Sequence, residues 1–227
     1  MSLQAIVFDF DGVLADTEPL HLKAAQRALA DTGLALDAHD YYQRYLGFDD
    51  AGMFRALATD RGIQVDERDM ADFVERKSQV LLSLIDEGTV LFPGVKECVR
   101  RCAEQVPLAI ASGALGHEID LILRRTGLRD AFQAIVGAED TPRSKPAPDP
   151  YVRAVELLRA TTATGELAPE CCVAIEDSHW GLESARSAGL RCIAVAHTYS
   201  ADAFRGVDFV VRTLDEITIE RLQQLCG

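Results

Sequence analysis

Short runs of three or four apolar residues alternate along this chain with longer stretches in which apolar positions recur every third or fourth residue. The runs lie at residues 5–8, 108–111, 134–136, 172–175, 192–195 and 209–211. Each is apolar at consecutive positions, the pattern of parallel strands buried on both faces. Between them, residues 95–105, 116–125, 150–159, 180–187 and 214–225 carry a helical period. This alternation predicts an α/β fold: a doubly wound, Rossmann-like parallel sheet that binds its ligand at the carboxyl ends of the strands.

The alternation is interrupted once. Residues 17–88 hold only amphipathic helical periods, at 19–30, 38–45, 51–61 and 66–86, with Gly33, Gly47 and Gly62 as stops. Pro19 suits the first turn of a helix, with Thr17 or Glu18 just before it. The expected organisation is an α/β core of residues 1–16 and 89–227, with 17–88 inserted as a helical cap after the first strand. An insertion there sits where a lid over the strand ends would sit.

Composition removes several classes of function. The 227 residues are 48% hydrophobic and 26% charged, which suits a packed globular chain. Lys and Arg number 23 against 36 Asp and Glu, a net charge of −13. That surface repels phosphate backbones and anionic lipid, so neither nucleic acid nor membrane is an expected partner. No run approaches the roughly 18–20 apolar residues of a membrane helix. The opening MSLQAIVFDFDG lacks the layout of an export signal, so the six cysteines read as reduced, packed thiols of a cytoplasmic protein. Nothing in the pattern demands an assembly, and a monomer is expected.

The chemistry gathers at strand ends. The first strand runs into Asp9-Phe10-Asp11-Gly12, two carboxylates leaving one strand with a glycine for the turn. The fourth runs into Glu176-Asp177-Ser178, an acidic pair that could also cap the next helix. Four carboxylates in one cleft repel each other unless a cation joins them, and a hard oxygen-binding ion, magnesium by preference, answers that need. Ser112 and Gly113 end the second strand ahead of a helix near Gly116, where a hydroxyl and helix N-terminal amides make a recurring anion site. Lys145 stands in Ser144-Lys145-Pro146-Ala147-Pro148-Asp149-Pro150, a loop that its prolines stiffen. Together these groups suit phosphoryl transfer: a carboxylate to attack phosphorus, cations for the oxygens and an acid for the proton.

These residues resemble the haloacid dehalogenase superfamily of aspartate-nucleophile phosphatases. Within it they are similar to the branch of β-phosphoglucomutase and related sugar-phosphate phosphatases, whose four-helix cap the insertion would match. The resemblance rests on DFDGVLADTEPLH at 9–21, IASG at 110–113, SKPAPDP at 144–150 and IEDSHWGLESARSAG at 175–189. It implies Asp9 as the nucleophile that becomes an aspartyl-phosphate, and Asp11 as the acid and base. It also implies Ser112, Gly113 and Lys145 around the phosphate. Magnesium would be held by Asp9, the Asp11 carbonyl, Glu176 and Asp177, and Thr17, His21 and Lys77 would be the cap's contribution. Lys77 falls at helical spacing within the apolar stripe of Met70, Val74, Leu81 and Leu84, as a cleft lysine or a snorkelling one would.

One departure matters. Residues 46–52 carry Asp49 and Asp50 where the mutase pattern places an arginine for a second phosphate. Hydrolysis of a small phosphorylated metabolite is therefore expected, with a phosphosugar mutase as the alternative and a non-catalytic phospho-acceptor or phosphometabolite-binding regulator as the reading from another class. Phe48, Phe54 and Trp180 read as packing residues.

Overall fold

The computed structural model describes residues 2–45, 48, 50–87, 90–162 and 165–227. The predicted stop at Gly47, most of the 46–49 stretch and the junction at 88–89 lie outside the described residues. The chain divides into two compact units, Met1–Asp16 with Val90–Gly227, and Thr17–Thr89.

The first unit is the α/β one. Its strands are β1 (Ala5–Phe8), β2 (Leu108–Ala111), β3 (Phe132–Val136), β4 (Cys172–Glu176), β5 (Arg191–Val195) and β6 (Phe209–Val211), paired in parallel in the order β3-β2-β1-β4-β5-β6. The fold is thus the doubly wound parallel sheet that the apolar runs predict. Ala5, Val7, Ala109, Ala111, Cys172, Ala174, Cys192 and Ala194 share a buried cluster with Tyr151, Leu158, Leu182 and Ala185. Small strand residues let α7 (Asp149–Thr161) and α8 (His179–Ser187) lie close to the sheet. The remaining helices of this unit are α5 (Val95–Ala103), α6 (Gly116–Thr126) and α9 (Ile219–Leu225). One long terminal helix over 214–225 is expected, but the segment breaks: a 3₁₀ turn at Leu214–Glu216 precedes α9, because Thr218 takes an extended backbone to cap the Arg221 amide. All six cysteines are free thiols and buried.

The second unit holds α1 (Glu18–Leu29), α2 (Ala38–Asp40), α3 (Asp50–Asp60) and α4 (Glu67–Glu87), with no strand among its described residues. Its core includes Ala25, Leu29, Phe54, Leu57, Met70 and Phe73, with Phe54 and Phe73 stacked at 4.3 Å. The helix expected over 38–45 stops after one turn and widens into a π-helical turn at Tyr41–Tyr45. Two phenols set that turn: Tyr41 donates to Glu18 and Tyr45 to Asp60, each at 2.6 Å. Packing is the right reading for Phe54 but not for Phe48 or Trp180, which are 53% and 63% exposed. No helix among the described residues is long and apolar enough to cross a membrane.

Candidate active site

The sheet reverses its winding between β1 and β4, and it is there that the two acidic segments emerge side by side. Asp9 follows β1 and its amide donates to the Ile175 carbonyl of β4 at 2.9 Å. Glu176 ends β4 and Asp177 follows it. All three carboxylates are buried, and an oxygen from each lies within 4.8 Å of the others.

Lys145 arrives from the loop between β3 and α7. Ion pairs from Arg143 to Asp149 clamp that loop, and the Ser184 hydroxyl donates to the Ala147 carbonyl at 2.5 Å. The Lys145 ammonium lies 2.8 Å from Asp9 Oδ1 and 2.5 Å from Glu176 Oε1, over the ring of Tyr151 at 5.2 Å. Glu176 is the hub. Oε1 also accepts from the Tyr151 hydroxyl at 2.8 Å, and Oε2 accepts from the Asp177 amide, the Ser178 amide and the Ser178 hydroxyl at 3.1–3.3 Å. Those donors saturate the roughly four lone-pair sites of a carboxylate. Gly181 makes room for the group, since a Cβ there would fall 1.9 Å from it. Capping of α8 belongs to Ser178, whose hydroxyl oxygen accepts from the Gly181 amide at 3.0 Å.

Asp177 packs against the turn that carries Asp11. Gly12 has φ +79°, and a Cβ there would lie 1.9 Å from Asp177 Oδ2, so both backbone and space require glycine. The turn closes through Gly12 N to Ala15 O and a bridge between Asp11 and Ala15.

Three carboxylates face one ammonium, and the electrostatics record the mismatch. Burial, then Glu176, pushes the Asp9 carboxyl well above its usual range, against the pull of Lys145. Asp177 is raised to about 7 by burial and then Glu176, with the Thr198 hydrogen bond opposing. For Lys145, burial works to lower the pKa, but Asp9 and Glu176 outweigh it and raise the group. Hard, crowded, partly frustrated carboxylate oxygens fit a magnesium ion. Asp9 and Asp177 are the better placed to ligate it, because the oxygens of Glu176 are engaged.

Ser112 follows β2 and is buried, with its hydroxyl oxygen accepting from the Ala114 amide at 3.1 Å. Gly113 takes no positive φ and a Cβ there would meet nothing within 4 Å, so its smallness leaves open space rather than a needed backbone freedom. The expected free amides at the start of α6 are modified: Gly116 N already donates to the Glu139 carboxylate at 3.0 Å.

Within the helical unit, Lys77 is only 2% exposed and is not a surface lysine. Its ammonium reaches His21 Nδ1 at 2.7 Å and Asp50 Oδ1 at 2.6 Å. An ammonium only donates, so His21 Nδ1 is the acceptor. Burial and then Lys77 lower His21 to about 3. Thr17 is buried but does not cap α1 with its side chain. The sequence gives no sign of Tyr151, His197 or Thr198. Tyr151 looks like one more apolar position of α7, and the other two follow β5 without any motif.

A family profile described as haloacid dehalogenase-like hydrolase matches residues 6–195. The chain is 34% identical to Protein CbbY of Rhodobacter capsulatus over 99% of this chain and 100% of that protein. It is 31% identical to hexitol phosphatase B of Escherichia coli over 96% of both. Among solved structures, mutant CbbY of Rhodobacter sphaeroides in complex with xylulose-(1,5)bisphosphate superposes with a TM-score of 0.84 at 27% identity, covering 98% of this chain and 100% of that one.

Proposed function

The chain belongs to the haloacid dehalogenase-like hydrolases and is an enzyme of their phosphatase type; from that premise we propose that it hydrolyses a small phosphorylated metabolite, a sugar phosphate or close relative, through an aspartyl-phosphate on Asp9 with magnesium as cofactor. The observation that carries this reading is the Lys145 ammonium, held between Asp9 and Glu176 at 2.8 and 2.5 Å. It holds one Asp9 oxygen in place and brings a cation to the point where phosphate oxygens would sit.

In the proposed reaction an Asp9 oxygen attacks phosphorus and the bond to the ester oxygen breaks. Asp11 gives its proton to the departing alkoxide. The Asp11 carboxylate then takes a proton from the water that attacks the aspartyl-phosphate, which releases phosphate and restores Asp9. Lys145 and the Ser112 hydroxyl hold the equatorial oxygens, with Gly113 leaving the space beside them. Asp9, the Asp11 carbonyl and Asp177 would hold magnesium, with Glu176 at the edge of that set and chiefly fixing Lys145. The ion would supply positive charge to the phosphate oxygens.

In the helical unit, Thr17, His21 and Lys77 are the residues we assign to reading the rest of the substrate. Glu18 and Asp50 outnumber Lys77 there while His21 stays neutral, a charge balance that disfavours a second phosphate. This supports hydrolysis over a mutase. The test is phosphate release from a panel of phosphorylated sugars and polyols, bisphosphates included, with and without magnesium. Magnesium-dependent release from a monophosphate is expected. Isomerised product without free phosphate, or no turnover of any member, overturns the reading.

A further inference from the structure

Two consecutive residues beyond β5 grip the turn that carries Asp11 from outside. His197 places Nδ1 2.9 Å from the Gly12 carbonyl oxygen. A carbonyl only accepts, so Nδ1 carries the proton. Thr198 donates its hydroxyl to Asp177 Oδ2, the oxygen that lies against Gly12. The His197 ring is held in turn: it stacks on Phe92 with centroids 4.1 Å apart and planes 28° from parallel. Phe92 belongs to the segment that holds the other end of the turn. Its amide donates to the Leu14 carbonyl at 3.1 Å, and the Asp16 amide donates to the Val90 carbonyl at 2.7 Å. Gly12, His197, Phe92 and Leu14 thus form a closed circuit around residues 11–15.

We propose that His197, together with Thr198, is a positioning residue that locks the Asp11 turn against Asp177 and so sets where the acid–base carboxyl stands relative to the carboxylate cluster. The inference rests on the phosphatase reading of Asp9 and Asp11. Neither residue is asked to touch the substrate; both act through Gly12 and Asp177. Without the His197 donor the turn loses its lateral restraint, and a catalytic group displaced by about 1 Å can cost on the order of 10²-fold in rate. The loss falls on kcat rather than on substrate affinity.

The test compares His197→Asn with His197→Leu. The two new side chains are of similar size and both lose the stack on Phe92, but asparagine Nδ2 stands as many bonds from the backbone as histidine Nδ1 and can donate to Gly12. Turnover of p-nitrophenyl phosphate with magnesium is measured beside amide hydrogen exchange of residues 11–16. The leucine variant should lose about tenfold or more in kcat, with KM within about twofold. Its turn amides should exchange faster, and asparagine should recover most of both properties. Equal behaviour of the two variants, or wild-type kcat and exchange in the leucine variant, overturns the assignment, because a space-filling role cannot separate them. If the parent protein releases no phosphate while exchange still separates leucine from asparagine, the phosphatase reading falls and the anchoring of the turn stands.

Discussion

Replacing Gly181 with alanine should reverse the usual effect of that exchange. A glycine inside a helix costs about 1 kcal/mol relative to alanine, so the substitution would ordinarily strengthen α8. Here the new Cβ would fall 1.9 Å from Glu176 Cδ and Oε1 and 2.1 Å from Oε2. The carboxylate cannot step aside cheaply, because it is fully buried and held by Lys145, Tyr151, Ser178 and the Asp177 amide. Overpacking costs about 1–3 kcal/mol. Loss of one hydrogen bond to a charged group costs about 1.5–3 kcal/mol more. Net of the helix gain, the variant should be less stable by about 1.5–5 kcal/mol. For a chain of this size that lowers the melting temperature by about 3 °C or more. Circular-dichroism melts measure it, with Gly113→Ala as a control, since a Cβ there meets nothing within 4 Å. Phosphate release should fall alongside, as Lys145 loses its partner. An alanine variant as stable as its parent would refute the claim that Glu176 is fixed where Gly181 lets it be.

Other outcomes follow from the same contacts. Tyr151→Phe removes one donor from Glu176 Oε1 and should cost about 1.5–3 kcal/mol in a denaturant titration, with a lower kcat. His21, lowered to about 3 in the folded chain, leaves the unfolded state binding the extra proton between that value and about 6.5. Stability should therefore fall as pH drops below about 6.5, and a His21→Gln variant should show a shallower acid limb in melts taken across that range. Chelation should abolish phosphate release. Added magnesium should raise the melting temperature of the parent protein more than that of Asp177→Asn, because a ligand that binds only the folded state stabilises it.

The sheet was legible because its strands are buried on both faces: runs such as 172–175 leave few other readings, and all six fall on observed strands. The acidic pairs were legible for a related reason, since Asp9 and Glu176 each stand one residue past such a run. Side-chain geometry was not. Whether Lys77 snorkels or is buried depends on His21 and Asp50, which lie 56 and 27 residues away in sequence. Spacing also could not reveal that Glu176 spends its oxygens on Lys145, Tyr151 and Ser178. The π-helical turn at Tyr41–Tyr45 and the break at Thr218 come from side-chain hydrogen bonds, Tyr41 to Glu18 and Tyr45 to Asp60 in the first case and the Arg221 amide to Thr218 in the second, that outweigh a continuous helical period. His197 carries no signal in the sequence, because its partner is a backbone carbonyl 185 residues earlier.

The proposed reaction turns on the earliest carboxylate of the buried cluster taking phosphorus. Rapid acid quenching of the protein during turnover of a radiolabelled phosphate ester, followed by peptide mapping, tests it directly. An acid-stable, hydroxylamine-labile acyl phosphate is expected on Asp9, and it should be absent, along with turnover, in Asp9→Asn. Label on another residue, or undiminished phosphate release from Asp9→Asn, would contradict it.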